Sequence, residues 1–374
     1  MYRACEALRL VKRTALVVLV SCLLFIAGSF QPAAPASRLV NARRHIFGVD
    51  NVDARGNVRR DRVVVSWFSI SSLAMAIDGH VVLLDTYIHK GEDHPNYVPT
   101  TTSELADLRP EAIFLGHGHF DHANTAGELV VRTGARLVGT PEHCDQTRSQ
   151  AEAYAGRPVR VRCIATVTRG SDPGRQVREI RPLGPRVGIT VLKHVHSGGH
   201  APDGDPHEST LTAGLPDPNL ILLYPMGPTL LPGADPRGDE GSSLLYQFRF
   251  KRVSLVWNDT VGPLREEAPE LVGVLKRLPR TDVHFGAVQS PNGATNGMRD
   301  PVDYIEALRP KIFYPIHHDF VAEYGMSKGH EGILRRELAR RSPPHPEVRW
   351  LYDPYDYLRP ALMTFDVADP RFAD

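Results

Sequence analysis

The chain has 374 residues and a mass of 41.4 kDa, which is long enough for one large domain or two ordinary ones. Hydrophobic residues make up 42% and charged residues 23% of the chain, and this composition excludes wholesale disorder. With 44 basic against 43 acidic residues, the formal net charge of +1 gives no electrostatic case for nucleic acid as a partner.

The first 36 residues have the pattern of an export signal. Basic residues, among them Arg3, Arg9 and Lys12, precede an uncharged apolar run over 14–30, and small residues follow at Ala34-Pro35-Ala36. A basic start, a short apolar run and a small-x-small site are typical of a secretory signal, and the same run, if uncleaved, is a candidate anchor. We therefore expect an exported protein, periplasmic or extracellular, that contacts a membrane only through residues 14–30 if they are retained.

Residues 37–60 are polar and arginine-rich without apolar periodicity, so we expect a linker there. Strands are then predicted over 62–68, 72–79, 80–86, 111–116, 135–140, 159–167, 188–195, 219–225, 244–250, 252–257 and 311–316, and helices over 123–133, 269–278 and 331–341 and from Asp300 onward. Interspersed strands and helices without an internal repeat indicate one α/β layered domain over 61–320. Residues 321–374 are expected to form a C-terminal extension packed on this domain.

The cysteines give one indication of the cellular compartment. Cys5 and Cys22 lie in the leader, which leaves Cys144 and Cys163 in the mature chain. In an oxidising compartment these two can form a disulfide. We favour two separate, half-buried thiols.

The strongest chemical signal is a heptapeptide that begins at the last residue of the apolar strand segment over 111–116. Its sequence is Gly116-His117-Gly118-His119-Phe120-Asp121-His122. Three imidazoles and one carboxylate in a loop at a strand end can converge on one or two cations. Neutral imidazole nitrogen and carboxylate oxygen are ligands that borderline divalent metals prefer. Gly118 lets the backbone bend so that His117 and His119 can face the same ion. The segment therefore predicts a metal site.

Further ligands are expected from distant strand ends, because one cluster rarely completes a binuclear site. Asp259 follows the strand over 252–257, His317 follows the strand over 311–316, and His196 follows the strand over 188–195. In layered α/β proteins a site gathers at the carboxyl ends of strands. These three residues are therefore candidates to complete the metal site.

Together these residues resemble the metallo-β-lactamase-fold hydrolases, over roughly residues 62–320, and the HxHxDH element at 117–122 is highly specific to that family. Within it the chain looks most like the branch that holds ascorbate-6-phosphate lactonase and N-acyl-phosphatidylethanolamine phospholipase D. The supporting segments are VVVSWFSISSLAMAIDGHVVLLDT, WNDT, GMRDPVDYIEALRPK and YPIHHDF. The resemblance implies an α/β fold, a four-layer αββα sandwich, with the site at one edge between the two sheets.

The resemblance also implies a ligand set for two divalent cations, Zn²⁺ in first place, with Mn²⁺ or Fe²⁺ as alternatives. Three ligands fall to each metal and one residue bridges them: His117, His119 and His196 for the first, Asp121, His122 and His317 for the second, and Asp259 as the bridge.

Two of these assignments have competitors. His194, His200 and His207 compete with His196, which the resemblance favours because family members place this ligand at a strand end followed by a small residue, as in His196-Ser197. For His317 the competitor is His318, and the Pro-x-His spacing favours His317.

The chain departs from the branch pattern at two places. Members of the branch usually have Gly-His where this chain has Ser69-Ile70, and often Asp-Pro where it has Asp85-Thr86. We expect the metal ligands to be independent of both differences. Substrate contacts near the mouth of the site can depend on them. The resemblance therefore supports the ligand set more strongly than it supports the substrate class.

The implied chemistry is metal-assisted hydrolysis of a lactone, ester or phosphodiester in a small-molecule or lipid-like substrate. A hydroxide that bridges the two metals attacks the carbonyl carbon or phosphorus atom. Asp121 is the candidate catalytic residue, because it can orient the nucleophile and return a proton to the leaving group. Zinc β-lactamases lack the bridging aspartate, so Asp259 makes a β-lactam substrate a minority interpretation.

Two hypotheses from other classes stand beside hydrolysis. The same fold hosts iron-dependent oxidoreductases, although this chain has no room for a flavodoxin-like partner domain. A non-catalytic, metal-binding member is the other alternative, although such proteins usually lose ligands and here every ligand type is present. The sequence does not specify the oligomeric state.

Several other residues near these motifs have simpler interpretations. His284 is expected to be a packed strand histidine, and His143 is expected on a helix surface. Tyr87 and His89 follow a strand end near the presumed mouth and are candidates for substrate contact. The long Gly/Pro-rich loops over 197–212 and 226–243 are either lids over the site or plain surface insertions.

Overall fold

The computed structural model of the protein describes residues 35–88, 100–197, 242–288, 295–318, 324–352 and 354–372. Its strands are β1 (Arg62–Ser69), β2 (Ser72–Ile77), β3 (His80–Leu84), β4 (Ala112–Phe114), β5 (Arg136–Gly139), β6 (Cys163–Ala165), β7 (Val177–Ile180), β8 (Val187–His194), β9 (Ser243–Phe250), β10 (Val253–Asn258), β11 (Val283–Ala287), β12 (Ile312–Ile316), β13 (Glu347–Val348) and β14 (Thr364–Asp366). Its helices are α1 (Pro35–Phe47), α2 (Thr102–Asp107), α3 (Phe120–Ala123), α4 (Ala126–Thr133), α5 (Pro141–Ala155), α6 (Leu264–Glu267), α7 (Pro269–Lys276), α8 (Arg299–Leu308), α9 (Tyr324–Ala339) and α10 (Pro354–Tyr357). None of the helices within these ranges is both long and apolar enough to cross a membrane.

The described strands form two seven-stranded sheets. The first sheet has the order β14-β1-β2-β3-β4-β5-β6, and the second has the order β13-β12-β11-β10-β9-β8-β7. In each sheet a set of antiparallel neighbours joins a parallel set, which is β3 to β6 in the first sheet and β10 to β13 in the second. Parallel neighbours need crossover connections, and helices supply most of them.

Side-chain alternation along the strands builds the layers. In β1, Val63, Val65 and Trp67 belong to the core between the two sheets, whereas Val64 and Phe68 belong to a second core under the helices. Strands that are buried on both faces have nearly continuous apolar sequences, and the β1 sequence RVVVSWFS is an example. A third core packs the outer face of the second sheet against α6, α7 and α8. The predicted αββα sandwich is thereby confirmed.

The segment over 37–60, expected to be a linker, contains regular structure. Helix α1 runs through it, and Ala42, Ile46 and Phe47 are buried with the outer face of the first sheet. Val52 and Val58 then pair in an isolated bridge. The apolar stripe of α1 is narrow and arginines surround it, so the periodicity did not stand out from the sequence.

The C-terminal residues contribute to both sheets. Strand β14 pairs with β1, with Arg62 opposite Asp366, and β13 pairs with β12, with Ile312 opposite Glu347. We expected this segment to pack on the domain as an extension. It also supplies one edge strand to each sheet, which the sequence of this segment does not reveal.

Other elements match the predictions with shifted bounds. The hairpin between β2 and β3 turns at Asp78-Gly79, both at positive φ as a type I′ turn requires. The single helix predicted over 123–133 is two helices, α3 and α4, and left-handed Gly134 ends the second. Helix α8 begins at Arg299, so Asp300 lies in its first turn and bonds Asn296.

One predicted strand is shorter in the structure, one lies outside the described residues, and one observed strand was not predicted. The strand expected over 159–167 is limited to β6, and β7 was not predicted. The strand expected over 219–225 lies outside the described residues, as does the leader up to residue 34.

Cys144 and Cys163 form a disulfide between α5 and β6, with Cα atoms 5.8 Å apart. Our expectation of two separate thiols was therefore wrong. The pairing depends on the position of the helix beside the edge strand of the first sheet, which spacing along the chain does not reveal.

His143, expected on a helix surface, is buried in the first turn of α5. Its Nδ1 accepts a hydrogen bond from the Thr140 N–H, and its own N–H donates to the Thr140 hydroxyl. This reciprocal pair is a capping box in which histidine takes the place usually held by Glu or Gln. That unusual residue choice explains why the sequence pattern was missed.

Candidate metal centre

Chain segments that follow five strands meet at one edge of the sandwich. The ends of β3, β4, β8, β10 and β12 are followed by Asp85, the loop over 116–122, His196, Asp259 and His317. Because the carboxyl ends of neighbouring parallel strands lie on the same side of a sheet, polar residues just past them converge. Polar residues that the sequence places just past strand ends therefore do lie close together in the structure.

Gly116 makes room for Asp259, which arrives from the opposite sheet. A Cβ atom added to Gly116 would lie 2.0 Å from the Asp259 carboxyl carbon, so only glycine fits without displacing that side chain. The Gly116 N–H donates to Asp85 Oδ1 at 3.0 Å, and its carbonyl accepts from the Leu244 N–H at 2.8 Å. The start of the histidine loop is therefore held between both sheets.

The first ligand group consists of His117, His119 and His196. The Nε2 atom of His117 lies 3.1 Å from His119 Nδ1 and 3.2 Å from His196 Nε2, and the three ring centroids are 4.7–4.8 Å apart. His117 is buried, whereas His119 and His196 are half-buried. This group therefore forms the solvent-facing side of the centre.

The second ligand group consists of Asp121, His122 and His317, and all three are buried. Asp121 Oδ2 lies 3.6 Å from His122 Nε2 and 3.8 Å from His317 Nε2. Within each group the candidate ligand atoms lie within 4.8 Å of one another. These spacings suit three ligands converging on one cation.

Asp259 connects the two groups. Its Oδ2 lies 2.6 Å from His117 Nδ1 and 3.3 Å from His122 Nδ1, and the three residues form a third set of convergent ligand atoms. The other carboxylate oxygen, Oδ1, is buried and has no hydrogen-bond partner among the described residues. A carboxylate in this position can serve as a bridge.

The backbone around the second group is strained. Ile70, Asp85 and His317 have φ angles of 56°, 53° and 62°, a region that non-glycine residues rarely adopt. The carbonyl of Ile70 accepts hydrogen bonds from the His317 N–H at 2.7 Å and from the Trp67 indole N–H at 3.0 Å. Strain of this kind persists only where surrounding contacts fix it, and it clusters at functional sites.

Asp85 orients His122. Asp85 Oδ2 lies 2.8 Å from His122 Nδ1, and the Ser71 hydroxyl lies 2.6 Å from the same oxygen and 2.8 Å from the same nitrogen. These contacts occupy Nδ1 and leave Nε2 directed at Asp121. We expected the ligands to be independent of this position, but the structure places Asp85 against one of them.

Thr86, where the branch often has proline, donates its N–H to the His122 carbonyl at 2.8 Å. Its carbonyl accepts a hydrogen bond from the Thr125 hydroxyl. Proline has no N–H, so the first of these bonds depends on the departure from the branch pattern. Asp85-Thr86 thus supports the histidine loop directly.

The charges at the centre favour divalent cations. Asp85 and Asp259 are completely buried, and no Lys or Arg in the described ranges forms an ion pair with either. Burial, together with the nearby Asp259 carboxylate, raises the pKa of Asp85 well above its ordinary value. Burial also lowers the pKa of His117 and His122 well below the ordinary value and that of His196 to about 3, so these imidazoles are neutral. Neutral imidazoles beside uncompensated carboxylates are the donor set that zinc-like cations prefer.

Residues 65–213 match the sequence profile of the metallo-beta-lactamase superfamily. Over these residues the chain matches a metallo-β-lactamase superfamily domain. The superfamily expected from the HxHxDH element is thus confirmed, and the matched region holds five of the seven predicted ligands, namely His117, His119, Asp121, His122 and His196.

Curated relatives point the same way. A UPF0173 metal-dependent hydrolase of Myxococcus xanthus is 25% identical over 243 residues, which cover 64% of this chain and 76% of that protein. One from Pyrobaculum neutrophilum is 33% identical over 78 residues, which cover 21% of this chain and only 32% of that protein. These matches support a metal-dependent hydrolase within the superfamily.

Among solved structures, a metallo hydrolase from the archaeon Ignicoccus hospitalis superposes with a TM-score of 0.48 at 14% sequence identity. The superposition covers 78% of this chain and 96% of that one.

The two competing histidines that the structure describes make other contacts. His194 directs Nδ1 to the Tyr304 hydroxyl at 3.0 Å, away from the ligand groups, and His318 packs between Trp67 and Trp350. His200 and His207 lie outside the described residues. His284 is a packed strand histidine, as predicted, with Nε2 2.6 Å from Asn258 Oδ1.

The half-buried rings of Phe120 and Tyr87 meet edge to face with centroids 6.0 Å apart. Phe120 directly follows the ligand His119, which places this aromatic pair beside the solvent-facing ligand group. His89 and most of the two long loops lie outside the described residues.

Sequence reasoning missed three supporting residues, Gly116, Ser71 and Asp85. Asp85 had a usable signal, because it follows a buried strand as the predicted ligands do. Gly116 and Ser71 had none, because their roles depend on the approach of Asp259 and on the turn between β1 and β2.

Proposed function

We propose that the protein is an exported, binuclear metal-dependent hydrolase that cleaves a lactone, ester or phosphodiester bond. The observation that carries this proposal is the convergence of two three-residue ligand groups on either side of the buried Asp259 carboxylate. The match of residues 65–213 to the superfamily and the metal-dependent hydrolases among its relatives support the same class.

The residues would divide between two cations, most simply zinc. The first cation would be held by His117, His119 and His196, the second by Asp121, His122 and His317, and Asp259 would serve both. When bound, such a pair supplies Lewis acidity and lowers the pKa of water toward neutrality.

The chain's own residues have separate tasks. His119 and His196 are the half-buried ligands, so the scissile bond would enter on their side. Asp121 lies on the buried side, within 3.8 Å of His122 and His317, where its carboxylate can orient the attacking water. It can then pass the proton taken from that water to the leaving group. Phe120 and Tyr87 offer an apolar wall beside the solvent-facing ligands, which suits a small or lipid-like substrate.

Export is supported by the N-terminal pattern and by the disulfide. The Cys144–Cys163 bond is of the kind that persists in oxidising compartments and is rare in the cytosol. Cell fractionation with N-terminal sequencing of the mature protein tests this part. A cytosolic, reduced protein that retains its leader would contradict it.

The function itself is tested by measuring metal content on the purified full chain, together with hydrolysis of bis-p-nitrophenyl phosphate and of a lactone. We expect about two zinc ions per chain and hydrolysis that a chelator abolishes and zinc restores. Asp259→Asn should lower the metal content, because a neutral amide is a poor bridge. Iron with redox turnover would favour the oxidoreductase hypothesis, and bound metal without turnover on any substrate would favour a binding protein.

A further inference from the structure

Helix α5 faces the metal-binding loop with two glutamines one turn apart. Gln146 Nε2 donates to the Gly118 carbonyl at 2.6 Å, and Gln150 Oε1 accepts from the Gly127 N–H at 3.2 Å. Residues four apart lie on the same face of a helix, so one face makes both contacts. The two bonds hold the segment 118–127 at its two ends, and that segment contains His119, Asp121 and His122.

The bond from Gln146 falls where the loop has the most conformational freedom. Gly118 separates the ligands His117 and His119, and glycine restrains its backbone less than any other residue does. A hydrogen bond to the carbonyl of Gly118 fixes the peptide plane between Gly118 and His119. The orientation of His119, the more exposed of the two ligands, therefore depends on a side chain outside the ligand set.

The bond at Gln150 belongs to a tight contact between backbones. A Cβ atom added to Gly127 would lie 2.4 Å from the Gln150 Cβ and 2.5 Å from the Ala151 backbone nitrogen. The backbones of α4 and α5 therefore approach each other closely at Gly127, with no room for a side chain between them. The far end of the segment is thus fixed by packing as well as by the hydrogen bond.

Helix α5 is itself anchored next to these glutamines. The disulfide links Cys144, two residues before Gln146, to Cys163 on β6, and the capping box of Thr140 and His143 fixes the first turn. The helix therefore has a covalent tie to the first sheet, whose strand β4 leads into the same loop.

We propose that Gln146 and Gln150 are positioning residues for the metal centre, and that the Cys144–Cys163 disulfide anchors the helix that carries them. This inference rests on the proposed metal-dependent function. Gln146 acts through the Gly118 carbonyl and Gln150 through the Gly127 N–H, and neither residue belongs to a ligand group.

The experiment compares Gln146→Leu, which keeps the size but loses the donor, with Gln146→Lys, which keeps a donor of similar reach. Arg148→Leu is the matched control, because Arg148 lies on the same helix and, within the described part of the chain, bonds only the exposed Asp145. Zn²⁺ affinity of each full-length protein is measured by competition with a chromogenic chelator. The visible spectrum of the Co²⁺-loaded protein and the melting temperature of the metal-free protein are recorded alongside.

We expect Gln146→Leu to weaken Zn²⁺ binding about 10-fold, as loss of a group that orients a metal ligand typically does. Its Co²⁺ spectrum should shift, whereas Gln146→Lys should recover most of the affinity and Arg148→Leu should match the wild type. Wild-type affinity and an unchanged Co²⁺ spectrum in Gln146→Leu would overturn the inference, even if the melting temperature fell. A wild-type protein that binds no metal would instead overturn the proposed function.

The disulfide is tested by a double-mutant cycle with Cys144→Ala/Cys163→Ala. If the disulfide anchors the helix, its removal should weaken Zn²⁺ binding, and adding Gln146→Leu should then cost less affinity than it does in the wild type. Strictly additive losses would show that the two features act independently and would overturn the anchoring role.

Discussion

The two ligand groups differ in how firmly the protein holds them. The second group is buried, and its His122 and His317 are fixed by Asp85, by Ser71 and by the strained Ile70 carbonyl. In the first group His119 and His196 are half-buried, and His196 Nδ1 contacts the carbonyl of the neighbouring Ser197 at 2.9 Å. One group is therefore built into the core, and the other borders the solvent.

This difference suggests a division of labour. A buried group whose ligands are fixed before binding retains its cation firmly, because little ordering remains to be done. A half-exposed group can exchange a ligand position with substrate, as catalytic sites with an open coordination position do. The first group is thus the side at which we expect substrate to bind, and the predictions below test that asymmetry.

The largest effect is expected at Gly116, which serves both groups. In Gly116→Ala the new Cβ would lie 2.0 Å from the Asp259 carboxyl carbon, so the shared carboxylate must move. We expect loss of both cations, hydrolysis at background level, and destabilisation of about 1–3 kcal/mol from overpacking. Metal analysis and thermal unfolding measure these effects. Retention of both metals would mean that Asp259 does not connect the two groups.

Asp121 tests the chemistry assigned to the buried side. Asp121→Asn should leave the fold intact, by circular dichroism, and lower kcat by about 10²–10⁴-fold, because a ligand and the proton carrier are lost together. The matched variant Asp78→Asn removes another buried carboxylate, at the hairpin between β2 and β3, and should leave kcat unchanged. Near-wild-type turnover in Asp121→Asn would place the proton carrier elsewhere.

Substitution of Asp85 should affect the two ligand groups to different extents. Asp85→Asn removes the carboxylate that orients His122, and we expect the affinity of the second group for zinc to fall by about 10–100-fold. The first group should be weakened much less, since the hydrogen bonds of Asp85 go to Ser71, Gly116 and His122, and Asp259 is the residue through which Asp85 can influence both groups. Titration with zinc should then resolve one tight and one weakened site. Equal weakening of both sites would contradict the asymmetry.

The smallest effect is expected far from both groups, where α1 meets α2. His45 Nδ1 lies 2.6 Å from Glu104 Oε1, and this hydrogen bond raises the pKa of His45. A raised folded-state pKa stabilises the protein fully below the unfolded pKa of about 6.5, and the benefit is lost as pH rises through the folded pKa.

Glu104→Gln should therefore destabilise the protein more at about pH 5.5 than at about pH 9, where His45 is neutral in both proteins. The difference should stay below about 1 kcal/mol, because the pair is partly exposed. Thermal unfolding at both pH values measures it, and zinc content should not change. A change in zinc content would mean that α1 influences the metal centre.

The candidate ligands could be found from sequence because each marks the end of a buried strand, and such ends share one edge of a sandwich. His117 to His122 carried the specific motif, while Asp259, His317 and His196 needed both the strand-end rule and the family resemblance to be chosen. The structure brings all seven together.

What escaped prediction depends on contacts between distant segments. Helix α1 buries a narrow stripe at Ala42, Ile46 and Phe47, which its arginines obscure. The disulfide needs α5 and β6 side by side, and the role of Gln146 needs the carbonyl of Gly118 in reach. None of these neighbours is specified by local pattern, because each is set by the packing of whole layers.

The pairing of β14 with β1 has a consequence for how the chain is made. The partner of Arg62 is Asp366, which leaves the ribosome roughly 300 residues later. Until then β1 presents an unpaired edge of apolar sequence, the kind of surface on which nascent chains associate wrongly. Sequence separation of this size also slows folding, since the ends of a long loop must meet before the contact stabilises anything. If the protein is exported as proposed, this late completion of the first sheet is compatible with passage of the unfolded chain across a membrane before β1 and β14 pair.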